Sequence, residues 1–182
     1  MAIQYYVASS LDGFIAAPDD DIDWLISFGM AEFQDHYDAF IADVGAIVMG
    51  SSTYAFIVDQ GAESWTYGTT PSWVMTSRDL PGIEGADIRF ATGEIGPVLA
   101  AAADAAAGRN VWVVGGGLVA AQAAEAGLLD ELHVTLMPVV LGAGSPLLPV
   151  RDRLGPLNLT GTTAFPSGAV ELVYEVAARA AG

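Results

Sequence analysis

The chain has 182 residues, 22 of them acidic against six arginines, and a formal net charge of −16. It contains no cysteine and no lysine, which removes disulfides, thiolate nucleophiles, cysteine-based zinc sites, Schiff-base chemistry and a P-loop lysine. So negative a molecule repels polyphosphate backbones, which excludes nucleic acid as a partner. Although mean hydropathy is +0.45, no run reaches the roughly 18 apolar residues of a membrane-spanning helix.

The opening MAIQYYVASS has no basic stretch ahead of an apolar one and reads directly as a strand over Ile3 to Ala8. The expectation is a cytoplasmic chain without a secretory leader. The next stretch, SSLDGFIAAPDDDIDW, is marked by Gly, Pro and Asp and is long enough to be a functional loop; its DDDID run lacks calcium-loop spacing and reads as a solvated turn. From Ala31 to Val44, Phe33, Tyr37, Phe40, Ile41 and Val44 recur at helical spacing with acids opposite, predicting a first helix. AIVMG, 46 to 50, has the unbroken apolarity of a strand covered on both faces, and Ser51, Ser52 and Thr53 then cap a short helix through about Val58.

SWVMTS, 72 to 77, and DIRFA, 87 to 91, predict two more strands, and the alanine-rich stretch from Ile95 to Ala107 a helix. NVWVV runs as a strand into Gly115, Gly116 and Gly117, and a helix follows from about Leu118 to Ala126, stopped by Gly127. ELHVTLMPVVL, 131 to 141, is a strand broken at Pro138, while LNLTGTTAF and AVELVYEVA around Pro166-Ser167-Gly168 form a β-hairpin. Strands that alternate with helices and then close in antiparallel style predict one α/β domain over 1–182. Its central sheet is mostly parallel, with helices on both faces.

Three strand ends carry candidate chemistry. At Val114 to Leu118 the glycine triplet opens a helix, where free amides and the helix dipole suit a pyrophosphate and only glycine permits close approach. A tight strand-to-helix turn packed on a neighbour explains the same residues equally well. Gly50 to Thr53 repeats the pattern with hydroxyls, either for phosphate oxygens or simply as a helix cap. Thr76, Ser77 and Arg78 end a third strand, where the guanidinium is either a ribose 2′-phosphate ligand or a solvated turn residue. His36 and His133 have no metal-like neighbours and read as structural. No G-x-S-x-G elbow supports a hydrolase.

SSLDGFIA, IVMGSSTY, VMTSRDL, VWVVGGGLVAAQAAEAGLLDEL and MPVVLGAGSPLL, in that order, resemble the dihydrofolate-reductase-like superfamily, specifically the RibD C-terminal reductase domain of bacterial riboflavin biosynthesis and its single-domain relatives. The resemblance implies a three-layer fold and an NADPH-dependent reductase, similar to dihydrofolate reductase and to 5-amino-6-(5-phosphoribosylamino)uracil reductase. By the same resemblance the pyrophosphate lies against Gly115 to Leu118, the adenosine end near Gly50 to Thr53 and Ser77-Arg78, and the nicotinamide near Ala8, Phe14, Ile15 and Gly115. Asp12, in the SxDG element, becomes the candidate catalytic and substrate-orienting acid, with Glu32 and Asp35 as alternatives. Trp24 either packs over the substrate pocket or anchors the loop. Homodimers are implied too, and the alternation of ELVYEVA suits one.

Two departures matter. Relatives commonly carry arginine directly after the MG pair, where this chain has Ser51, which implies weaker cofactor affinity or a less clear preference between NADP and NAD. The absence of lysine argues against a phosphoribosyl substrate. The alternative is an NADP(H)-binding protein without productive reductase activity.

Overall fold

A strand buried on both faces has no place for polar side chains, so the most apolar stretches of this chain form the middle of its sheet. The structure, a computed structural model, describes residues 1–176. In chain order its elements are β1 (Ile3–Ser10), β2 (Phe14–Ala16), α1 (Asp23–Ile26), α2 (Gln34–Ala42), β3 (Val44–Gly50), α3 (Ser51–Asp59), β4 (Ser72–Met75), β5 (Ile88–Ala91), α4 (Ile95–Ala105), β6 (Asn110–Val114), α5 (Gly117–Glu125), β7 (Glu131–Met137), β8 (Ser145–Pro146), β9 (Asn158–Ala164) and β10 (Val170–Glu175). The main sheet has the order β5-β4-β3-β6-β1-β7-β10-β9. Its strands from β5 across to β7 are mutually parallel, and β10 and β9 close it antiparallel. This is the mostly parallel α/β sheet expected from the sequence.

β3 shows why the strand needed no polar alternation. Ala46 and Val48 face α4 and α5, packing in one core with Val98, Leu99, Ala102, Ala120 and Ala123. Ile47 and Met49 face the other way, into a second core with Tyr54 and Ile57 of α3 and, from α2, Tyr37, Phe40 and Ile41. All four β3 residues are fully buried. Each large apolar side chain so placed contributes roughly 1.5–3 kcal/mol. The alanines of α4 and α5 have a different use: small side chains let those helices lie close against the sheet.

Several boundaries differ from the expectation. The first long helix is shorter than Ala31 to Val44, because Val44 already pairs with Asn110 in the sheet. β1 runs two residues past Ala8, burying Ser9 and Ser10. The long loop after it holds a strand, β2, which pairs with β8; two residues of β8 gave too short a pattern to read. The hairpin β9–β10 forms as expected, although Ala177 of AVELVYEVA and Arg179 lie outside the described residues. β10 is flanked by β7 and β9, so its alternation serves this chain's own sheet and β9 is the edge.

Candidate functional site

β3 and β6 are neighbours, yet the helices that follow them depart on opposite faces. α3 buries Tyr54 and Ile57 in one core, and α5 buries Val119, Ala120, Ala123 and Ala124 in the other. A crevice therefore opens at the carboxyl ends of these strands, the switch point at which open α/β sheets bind ligands. A cavity of about 330 Å³ lies there, and Ser52, Thr53 and Phe56 of α3 and Gly115 to Leu118 form part of its wall. Val7 and Ala8 of β1, Ile15 and Ala16 of β2, Ile22, Leu25, Asp20, and the Ser145-Pro146 strand with Pro149 complete it.

The three glycines have three different reasons. Gly115 and Gly116 adopt φ of +56° and +75°, left-handed conformations that side chains strain. A Cβ on Gly115 would stand 2.7 Å from Thr53 Oγ1, and one on Gly116 would stand 3.4 Å from the backbone nitrogen of Gly50. Gly117 has ordinary dihedrals, but its Cβ would overlap the carbonyl oxygen of Pro146. Packing thus accounts for the missing side chains. The same left-handed turn leaves the N–H group of Gly116 without a protein acceptor among the described residues. The first amides of α5 have no intrahelical partner by construction. Gly50 is the N-cap of α3, and no side chain caps that helix. Ser51, Ser52 and Thr53 therefore form its first turn instead of capping it, and the second and third of them reach the cavity.

The structure brings Ala8, Ile15, Ser52, Thr53, Gly115, Gly116, Gly117 and Leu118 to one cavity. Phe14, Gly50, Ser51 and Val114 adjoin these residues in sequence without lining it. Thr76, Ser77 and Arg78 follow β4, one strand beyond β3. There Thr76 Oγ1 accepts from the Arg78 N–H at 2.9 Å, and the Arg78 side chain is exposed.

Asp12 does not line the cavity. Its carboxylate accepts from Ser10 Oγ at 2.7 Å, from Leu141 N–H at 3.0 Å and from Gly142 N–H at 2.7 Å. These bonds, the Ser10 hydroxyl foremost, hold its carboxyl down at about 2. Asp12 thereby clasps the β1–β2 turn to the segment after β7. Glu32 accepts from the Ser167 N–H at 3.0 Å in the β9–β10 turn, and Asp35 is exposed in the first turn of α2. Trp24 sits in α1 between the lining residues Ile22 and Leu25, with its Nε1 buried and without a partner among the described residues.

Sequence reasoning missed Val7, Ala16, Asp20, Ile22, Leu25, Phe56, Ser145, Pro146 and Pro149 as cavity residues. GAGSPLL carried a signal: Gly144 has φ +147° and a Cβ there would overlap the Ala16 carbonyl, so this glycine allows β8 to reach β2.

Comparison with known proteins identifies the fold and the family. YwjB of Bacillus subtilis (strain 168) is 32% identical over 169 residues, covering 93% of this chain and 94% of that protein. A solved structure from Shewanella sp. PV-4, of a protein ascribed to riboflavin biosynthesis, superposes with a TM-score of 0.78 at 25% identity, covering 97% of this chain and 99% of the other. Dihydrofolate reductase from Enterococcus faecalis, complexed with NADP(H), shares the fold with a TM-score of 0.63 at 16% identity, over 96% of both chains. The sequence pattern of the RibD C-terminal domain matches residues 55–170, from inside α3 to the first residue of β10. With both helix openings of the crevice set in a dihydrofolate-reductase-like sheet, the chain belongs to the RibD C-terminal domain family.

Proposed function

We propose that the protein is an NADPH-dependent reductase, a single domain acting on a small heterocyclic, carbonyl or imine substrate. One observation carries this: the left-handed Gly115-Gly116 turn, with its Gly116 amide free among the described residues, and the first turn of α3 face the same cavity at the switch point. The residues present fit the cofactor. The amides of Gly115 to Leu118 and the hydroxyls of Ser52 and Thr53 would hold its diphosphate, with Arg78 as the candidate for a 2′-phosphate. The nicotinamide supplies the hydride, and the chain supplies position and a dry wall. Ile15, Ile22, Leu25 and Phe56 give the cavity an apolar side that would keep water from the reacting face. Asp12 acts here through the loop it clasps.

The test is a calorimetric titration with NADPH and NADH, followed by absorbance at the reduced-nicotinamide band with dihydrofolate, dihydropteridines and quinonoid compounds. NADPH is expected to bind more tightly than NADH and to be consumed with at least one acceptor. Failure of both cofactors to bind at about 1 mM, roughly −4 kcal/mol, overturns the assignment. Binding without consumption selects the non-catalytic NADP(H)-binding alternative, which Ser51 in place of arginine favours. A cytoplasmic homodimer joined through the edge strand β9 completes the proposal, and sedimentation analysis tests its assembly.

A further inference from the structure

The segment that carries β8 is a strap fastened at three points. The Leu147 N–H donates to the Gly13 carbonyl at 2.9 Å, and Ser145 Oγ donates to Asp20 at 3.2 Å. From the sheet itself, the Tyr5 hydroxyl donates to the Leu147 carbonyl at 3.0 Å. Tyr5 is fully buried on β1, in one core with Val48, Val113, Ala120 and Val134. A hydroxyl placed there needs a partner, and the Leu147 carbonyl is the one it has among the described residues. Burial pushes the phenol up, so the group remains a donor at any pH near neutral.

The strap so held is the surface on which α5 opens. A Cβ built on Gly117 would overlap the Pro146 carbonyl oxygen and stand 2.8 Å from that of Leu147. Gly117 follows Gly116, whose amide is free among the described residues, and Pro146 lines the cavity. Tyr5, the strap and the glycine turn therefore form one series of contacts from the buried sheet to the cavity wall. Resting on the cofactor site assigned above, we propose that Tyr5 is a positioning residue: through the Leu147 carbonyl it sets where the strap bears on Gly117, and so where the amides of Gly116 to Leu118 point. It touches neither cofactor nor substrate. Amide dipoles act over a short range and hydrogen bonds weaken steeply with angle, so a slight displacement of this turn lowers affinity for a diphosphate.

Tyr5→Phe keeps the ring in the core and removes only the donor, and Tyr5→4-aminophenylalanine restores a donor at the same place. Ser72→Ala is the control: it removes a buried hydroxyl that donates to the Thr70 carbonyl at 2.8 Å, at the first residue of β4 and so at the end of the sheet away from the crevice. Two quantities are read on the full chain: the NADPH dissociation constant by calorimetry, and the nitrogen-15 amide resonances of Gly116 and Gly117 before NADPH is added. Tyr5→Phe is expected to raise the dissociation constant about fivefold and to shift both resonances. The 4-aminophenylalanine variant should reverse both changes, and Ser72→Ala should leave the constant within about twofold and the resonances in place. In a Gly117→Ala background, where the methyl already displaces the two carbonyls, Tyr5→Phe should add less than about twofold.

The proposal is overturned if Tyr5→Phe leaves the resonances unmoved, if it leaves affinity unchanged in a protein that binds NADPH, if 4-aminophenylalanine fails to restore both, or if the Tyr5 and Gly117 effects simply add. Should NADPH fail to bind the parent while the resonances follow the donor as expected, the cofactor assignment falls and the control of the glycine turn by Tyr5 stands.

Discussion

Asp12 illustrates how a polar loop residue can look catalytic and be occupied elsewhere. A carboxylate held by a hydroxyl and two amides has its charged form favoured, so its folded-state carboxyl lies at about 2 against an ordinary 3.8. With the folded value depressed, the clasp contributes fully above about pH 4 and is lost as pH falls toward 2. Ser10→Ala removes the largest cause, and the Asp12 carboxyl should then titrate measurably closer to 3.8 in a carbon-13 NMR experiment. An unmoved midpoint would show that the two amides hold it alone. The glycines make a second prediction at this scale. Gly116→Ala places a methyl in a left-handed turn 3.4 Å from the Gly50 nitrogen, at a cost of roughly 1–2 kcal/mol, and should weaken NADPH binding by about tenfold. Gly117→Ala drives its methyl into the fixed Pro146 carbonyl, so its thermal midpoint should fall further.

Among the elements, α2 and the turn before it are tied to β10 and the β9–β10 turn by polar contacts. His36 Nε2 meets Glu171 Oε2 at 2.5 Å, and Glu32 accepts from the Ser167 amide at 3.0 Å. Glu171 is buried on β10, and its Oε1 has no partner among the described residues. Burial pushes its carboxyl above the ordinary range against the opposing pull of His36 and His133, and Tyr6 stands on the same sheet face. A raised folded value means this group's contribution is present below about pH 4.5 and lost as pH rises through the folded value. Glu171→Gln, a neutral isostere, should therefore gain stability relative to the parent between pH 4 and 8 in denaturant titrations, the difference vanishing in acid. An equal or growing deficit at pH 8 would mean that the charged pair with His36 outweighs desolvation. His36→Ala leaves the buried acid unpaired and should cost on the order of 2 kcal/mol, discounted for the partial exposure of the histidine.

Taken whole, the molecule is an acidic body with a proposed site for an anionic cofactor. Attraction at the site comes from short-range amide dipoles, while repulsion comes from charge spread over the surface. Salt screens the long-range part first. NADPH affinity should therefore rise between about 10 mM and 150 mM salt, where the Debye length falls from roughly 30 Å to 8 Å, opposite to the behaviour of a basic phosphate site. A calorimetric series settles the sign, and falling affinity would point to arginine side chains as the dominant contact.

Hydrophobic period and turn chemistry are local, so they were legible along the chain. The unbroken AIVMG, the alanine-rich α4 and the Pro166-Ser167-Gly168 turn each specify an element through near neighbours. From the residues alone came the crevice with its glycine amides and the exclusion of lysine and cysteine chemistry. The direction in which a carboxylate points is not local. Asp12 and Asp20 sit eight positions apart in one acidic loop, and only the pairing of β2 with β8 decides that the first clasps residues 141–142 while the second faces the cavity. Gly117 owes its missing side chain to Pro146, 29 positions away, and His36 its partner to Glu171 across the sheet. Contacts of this kind are made when distant segments pack, which is why the tertiary structure alone assigned them.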